Sequence, residues 1–349
     1  MVRIVHTADV HLDPSAPERL DAFEVVLFEA KTRNADAVTI GGDLFDSELA
    51  AEEIRPTLRR YCSEVDIPLL CIPGNHDSAA FDGNRFFGDG FTPLLEKPFC
   101  QRTIGDLRIT ALPYTDRLDD NLLVALRERD PHDGPEALLF HCSLEAPIAG
   151  ESGDEGAIRY CPVRTATLVD LGFEYYLAGH YHSPHLTAIE HGQQFTYPGS
   201  PASITRGETG KRTIAILDTA ESPAVRLESI ETFRYRKERI QVSPGAEESA
   251  LGTVAEIAEA ATEDTVAASV SVGGLIQWDE ARFERALSPY DDALTIENTT
   301  RTVEDVTSHP LWESVTAHLE TIDTAEQRAE TERFILECMA STAAEGNLR

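Results

Sequence analysis

Val2-Arg3-Ile4-Val5-His6-Thr7-Ala8-Asp9-Val10-His11-Leu12 opens the chain with an apolar, β-type run that stops abruptly at Asp-x-His. The same pattern recurs downstream. The run 37–40 ends in Gly41-Gly42-Asp43, and 69–72 ends in Pro73-Gly74-Asn75-His76-Asp77. The run 137–140 ends in His141, and 175–177 leads into Ala178-Gly179-His180-Tyr181-His182. Between these runs the spacing is helical: Leu20, Phe23, Leu27 and Ala30 predict an amphipathic helix over 17–34, and Ile54, Leu58, Tyr61 and Val65 predict a second. Strands alternating with helices predict an α/β fold. In an open sheet of that kind the residues just past the strand C-termini share one crevice. Segments far apart in sequence are therefore expected to meet there.

The residue types say what that crevice would hold. Asp9, His11, Asp43, Asn75, His141, His180 and His182 bring carboxylate, imidazole and amide oxygen with no thiolate. This donor set suits Mn²⁺, Fe²⁺ or Zn²⁺ and is too rich in nitrogen for Ca²⁺ or Mg²⁺ alone. One ion does not need seven protein ligands, whereas two ions sharing a carboxylate do. Such a pair clamps the oxygens of an in-line phosphoryl displacement.

Composition narrows the class. With 349 residues, 42% of them hydrophobic and 7% aromatic, the chain is expected to fold as a large domain, a smaller one and a tail. Its apolar runs, such as 67–72, fall far short of the roughly 20 residues a membrane-spanning helix requires. No apolar signal segment follows the first strand, so a cytoplasmic location without membrane contact is expected. The six cysteines form no C-x-x-C pair, which suits a reducing compartment and small buried side chains. The formal charge of −31 argues on its face against a polyanionic partner. A dispersed acidic surface is also what a halophilic protein carries, because concentrated salt screens self-repulsion within a few ångströms. On that reading the sign of the net charge says little about the substrate.

Taken in order, Asp-x-His, Gly-Asp, Gly-Asn-His-Asp, His and Gly-His-x-His resemble the calcineurin-like metallophosphoesterase signature over residues 1 to about 217. The resemblance implies a four-layer β-sandwich flanked by helices. It implies that Asp9, His11 and His182 hold one ion, that Asn75, His141 and His180 hold the other, and that Asp43 bridges. It makes His76 a proton donor to the leaving oxygen, oriented by Asp46 or Asp77, a role suited to a pKa near neutrality. Further details resemble the SbcD-type exonucleases of double-strand-break repair: His6 to Leu12, Gly42 to Asp46, and Tyr197-Pro198-Gly199-Ser200-Pro201 followed by Gly207-Glu208 and Lys211. That resemblance implies a nuclease domain over 1–240, a small α/β capping domain over 241–305, and a helical C-terminal segment over 306–349. It also implies an SMC-like coiled-coil ATPase (SbcC-type) docking on that segment, and a homodimer formed through helices of the first domain.

The second half of the chain fits this layout. Strands are predicted at 194–197, 213–217 and 225–230, and Ser243-Pro244-Gly245 reads as a boundary. Helix 247–260, strand 266–272, helix 279–287 and strand 293–297 form a small α/β module, and 310–344 reads as helical and acidic. A DNA substrate needs local positive charge. Arg206, Lys211, Arg212, Arg234, Arg236, Lys237 and Arg239 are the candidate phosphate contacts, with Tyr235 among them. The leading expectation is a Mn²⁺-dependent DNA exonuclease and endonuclease. Two alternatives stand beside it: a phosphodiesterase or phosphatase for a nucleotide or other small phosphoester, and a DNA-end-binding scaffold for the ATPase. His76 weighs against the scaffold, which would need no proton donor.

Overall fold

The computed structural model describes residues 1–83, 85–145, 159–261, 265–322 and 324–344. Residues 345–349 of the predicted C-terminal segment lie outside the described residues. The chain divides into two compact units, Met1–Arg234 and Tyr235–Arg349.

In the first unit the chain runs β1 (Arg3–Thr7), α1 (Pro17–Thr32), β2 (Ala37–Ile40), α2 (Glu48–Val65), β3 (Leu69–Cys71) and β4 (Phe91–Pro93). It continues through β5 (Cys100–Ile104), β6 (Leu107–Ala111), α3 (Asp120–Arg127), β7 (Glu136–His141), β8 (Ser143–Leu144) and β9 (Pro162–Val163). Helix α4 (Thr165–Leu171) and strands β10 (Tyr175–Gly179), β11 (His185–Ala188), β12 (Gln194–Tyr197), β13 (Arg212–Asp218) and β14 (Val225–Ile230) follow. Two six-stranded sheets result, ordered β14-β13-β1-β2-β3-β4 and β11-β12-β10-β7-β6-β5.

Alternation along the strands builds the layers. Ile4, Ala37 and Leu70 of the first sheet pack against Leu107, Leu139 and Leu177 of the second, forming a core between the sheets. One residue along, Val5, Val38 and Leu69 face Phe23 and Leu27 of α1 and Ile54 and Leu58 of α2. On the far side Leu138, Phe140 and Tyr176 face Leu126 of α3 and Leu168 of α4. The order is helix, sheet, sheet, helix. Central strands covered on both faces are apolar at most positions, which is why they read as nearly unbroken runs.

Parallel pairing joins β1 to β2, β2 to β3, β6 to β7 and β7 to β10. Within each sheet these strands end on the same side, and every polar cluster quoted above follows one of those ends. Strands β4, β5, β6, β8, β9 and β11 and helices α3 and α4 are present without having been predicted.

The second unit begins within β15 (Arg234–Val242) and continues through α5 (Glu247–Ala260), β16 (Val266–Ile276), α6 (Glu280–Leu287), β17 (Leu294–Thr302), α7 (Val303–Thr307), α8 (Pro310–Leu319) and α9 (Ala325–Ala344). Its sheet is ordered β15-β16-β17, with β16 and β17 parallel. Val254 and Ile257 of α5 and Phe283 and Leu287 of α6 share a core with Ile240, Val242, Val270 and Val272. The basic stretch 234–239 is thus the start of a strand, and the turn at Ser243-Pro244-Gly245 lies inside this unit, between β15 and α5. Among the described residues no helix is long and apolar enough to cross a membrane.

Candidate metal centre

The loops after β1 and β2 are zipped together by backbone hydrogen bonds, from Asp9 N to Gly42 O (3.1 Å) and from His11 N to Asp43 O (3.0 Å). The second sheet joins them through His180, whose backbone N–H donates to both carboxylate oxygens of Asp9 at 2.9 and 3.0 Å. Asp43 Oδ1 accepts from the backbone N–H of His76 at 2.9 Å. His6 ties the sheets from behind: its ring nitrogens lie 3.0 Å from Thr39 Oγ1 and 3.1 Å from Ala178 O. Burial holds the His6 imidazole down at a pKa of about 4, hence neutral.

Asp9, His11, Asp43 and His180 all sit at positive φ, at 53°, 49°, 51° and 113°. Such backbone costs non-glycine residues about 1–3 kcal/mol each and persists where the surroundings over-determine it, as at functional sites. Gly74 shows how close the packing is. A Cβ there would fall 2.1 Å from Asp43 Oδ1, so no other residue fits.

Three histidines are anchored through Nδ1, which turns Nε2 inward. His141 Nδ1 lies 2.8 Å from Gly41 O, His11 Nδ1 lies 3.4 Å from Asp46 Oδ1, and His182 Nδ1 lies 2.9 Å from Glu208 Oε1. His141 Nε2 faces Asn75 Oδ1 at 2.9 Å and Asp43 Oδ2 at 3.3 Å. Nε2 of His11 is buried without a hydrogen-bond partner among the described residues. Ligand atoms of Asp9, His11 and His182 lie within 4.8 Å of one another, and so do those of Asp9, Asp43 and His141. Two adjoining groups with buried carboxylates and inward-facing imidazole nitrogens fit a pair of divalent cations. Asp9 is common to both groups. His180 stands beside the second, its ring 5.4 Å from that of His141.

The electrostatics agree with a cation site. Burial raises the Asp9 carboxyl above its ordinary value. Burial acts the same way on Asp43, but His141 and then His11 outweigh it and hold that carboxyl low. Burial drives His141 down, but Asp43, joined by Asp9 and the Gly41 carbonyl, raises it to about 9.

His76 is exposed at the mouth, its ring centroid 5.0 Å from that of His11. The two carboxylates expected to orient it also hold neighbouring groups. Asp46 faces His11 and accepts from Arg19 Nη1 at 2.9 Å, and the His11 hydrogen bond is the main reason its pKa falls to about 2. Asp77 is buried and accepts from the backbone N–H groups of Gly74 (2.7 Å), Leu44 (2.8 Å) and Phe45 (3.2 Å), bracing the loop that carries Asn75 and His76.

The candidate phosphate contacts fare unevenly. Arg206, Lys211, Lys237 and Arg239 are exposed. Lys211 and Arg234 both pair with Glu231, at 2.9 and 3.0 Å, and Arg236 pairs with Glu238 at 2.7 Å. Arg212 requires a correction. At 1% exposure it lies inside the first unit against Glu208 and cannot reach a phosphate on the surface. The contact between Glu208 and His182 has no local signal in the sequence.

Residues 2–184 match the family profile described as calcineurin-like phosphoesterase. A protein of Aeropyrum pernix described as DNA double-strand break repair protein Mre11 is 25% identical over 276 residues, covering 70% of this chain and 64% of its own length. Its namesake in Halobacterium salinarum is 29% identical over 254 residues, covering 67% and 62%. An uncharacterized metallophosphoesterase of Bacillus subtilis, YhaO, is 28% identical over 242 residues, covering 60% and 55%. The chain spans less than two thirds of the length of each of these relatives.

Proposed function

The chain belongs to the calcineurin-like phosphoesterase family, and on that premise we propose that it is a two-metal nuclease hydrolysing phosphodiester bonds of DNA in double-strand-break repair, with Mn²⁺ as its metal. The observation that carries the reading is the pair of adjoining Asp/His groups at the strand ends of the first unit. Asp9, His11 and His182 would hold one ion, and Asn75, His141 and His180 the other. Asp43, whose carboxylate responds to both His141 and His11, would lie between. When bound there, the two ions supply Lewis-acid polarisation of the phosphoryl group and a water acidic enough to attack near neutral pH.

The protein's own groups do the rest. Asp77 and Asp43 fix the 74–77 loop through its backbone N–H groups, which sets where His76 stands. His76, at the mouth, holds a proton on its imidazole for the departing oxygen.

DNA as substrate is supported by the Mre11 relatives. One from Halobacterium salinarum also accords with the reading of the −31 charge as halophilic. A small phosphoester is the second reading, favoured by the glutamate partners of Lys211, Arg234 and Arg236 and by the burial of Arg212. Linear duplex and bis(p-nitrophenyl) phosphate, each offered with Mn²⁺ in molar KCl, separate the two. Degradation of the duplex is expected, whereas intact DNA beside rapid diester hydrolysis would establish the second reading.

The proposal extends to assembly in the cytoplasm. The chain would form a homodimer through α1 and α2, where Phe28 and Leu49 are exposed, and would dock an SMC-like ATPase through residues 306–349. Light scattering during size exclusion reads both parts. A mass of two chains is expected, together with an ATPase complex that is lost when 306–349 are deleted. A monomer, or a complex surviving the deletion, would overturn the corresponding part.

A further inference from the structure

We infer that segment 199–212 is a clamp on His182, in which Glu208 and Arg212 are positioning residues that fix this histidine as a metal ligand through Nε2. The inference rests on the two-metal reading above.

Glu208 is a buried carboxylate with 1% exposure. Its Oε1 faces His182 Nδ1 at 2.9 Å and accepts from Thr205 N and Thr205 Oγ1, both at 3.1 Å. Its Oε2 accepts from Ser200 Oγ at 3.1 Å and Ile204 N at 2.9 Å. Arg212, at the start of β13, sets its Nη1 3.5 Å from Glu208 Oε2 and donates through Nη2 to the backbone oxygen of His182 at 3.2 Å. Ser200 N donates to that same oxygen at 3.1 Å. Gly199 lets the chain come this close: it sits at φ 74°, and a Cβ there would lie 2.7 Å from His182 O. His182 is thus gripped at its ring and at its backbone by one short stretch of chain.

The chemistry of a carboxylate gives the grip a direction. An ionised carboxylate accepts hydrogen bonds only, so the Nδ1 of His182 must carry the hydrogen and the lone pair is left on Nε2. Nε2 is the nitrogen turned toward Asp9 and His11. Full negative charge behind the ring also makes that nitrogen a better donor to a cation, and loss of such a partner typically lowers metal affinity about 10- to 100-fold. Arg212 supplies the opposite charge that lets the carboxylate stay ionised in the interior, while tying it to the His182 backbone. This gives a role to the Gly-Ser-Pro and Gly-Glu pattern of 199–208 that involves no contact with substrate.

Glu208 would otherwise serve only to shape the 200–208 turn, and Glu208→Gln separates the two roles. The amide keeps the size but must present N–H groups to some of the donors now facing the carboxylate. If that side meets the ring, His182 is driven to the tautomer with its hydrogen on Nε2. Mn²⁺ titration followed by the electron paramagnetic resonance signal of free Mn²⁺ measures the two sites, and the metal-free melting temperature reports the fold. E208Q is expected to melt near the wild type, to bind one ion about 10- to 100-fold more weakly and to keep the affinity of the other. Should E208Q not fold, Arg212→Lys is read the same way, because lysine cannot span Glu208 and the His182 carbonyl together. A folded variant of either kind with both affinities within twofold of wild type would overturn the clamp. Fewer than two ions on the wild-type chain would instead count against the two-metal reading.

Discussion

His76→Ala is expected to lower phosphodiester turnover by about 10²- to 10⁴-fold, the range a positioned proton donor contributes, while leaving both metal ions in place. The separation follows from how the residue is held. Its backbone N–H is committed to Asp43 Oδ1 at 2.9 Å and needs no side chain, so alanine leaves the buried carboxylate supported. The ring itself is exposed at the mouth, beyond the buried ligand atoms. Single-turnover rates beside elemental analysis of the desalted protein make the comparison. Metal lost in step with activity would make His76 a ligand and remove the donor role.

Asp43→Ala is expected to have a larger and different effect, with activity falling below detection because neither ion is retained. Asp43 is almost wholly buried between the two halves of the site, 3.3 Å from His141 Nε2 and within the electrostatic reach of His11. Without it His141 loses the main partner that raises its pKa, leaving only Asp9 and the Gly41 carbonyl to oppose burial, which favours the neutral imidazole. Alanine also opens a space beside Gly74, where the carboxylate now leaves no room for a Cβ. Elemental analysis after equilibration with Mn²⁺ and desalting is the measurement. Two ions retained by Asp43→Ala would show that this carboxylate is not shared.

Much of the site was legible because each ligand cluster directly follows an apolar run, and parallel strands end on one side. Asp9, Asp43 and His141 come together from three different strand ends in two sheets. Burial on both faces made 37–40 and 194–197 easy to delimit, and these strands, like the edge strand 225–230, fall at the predicted positions. The hairpin of β5 and β6 was not visible, since 100–104 mixes Cys, Gln, Arg, Thr and Ile without a clean period, and α4 is too short for its spacing to register. Partners fixed by tertiary contact escaped as well. Nothing in the sequence says that Asp46 faces His11 or that Glu208 faces His182. Arg212 looked like a surface cation because arginine is seldom buried; only its pairing with an interior carboxylate makes burial tolerable. The basic run 234–239, read as candidate phosphate contacts, lies in a strand whose Ile240 and Val242 join the core of the second unit.

A count of tightly bound manganese on the wild-type chain, after equilibration and removal of free metal, tests the centre most directly. Two ions per chain, both released by a chelator with the fold retained, is the expected result. One ion or none on folded protein would contradict a paired-cation site, and with it the hydrolysis proposed for it.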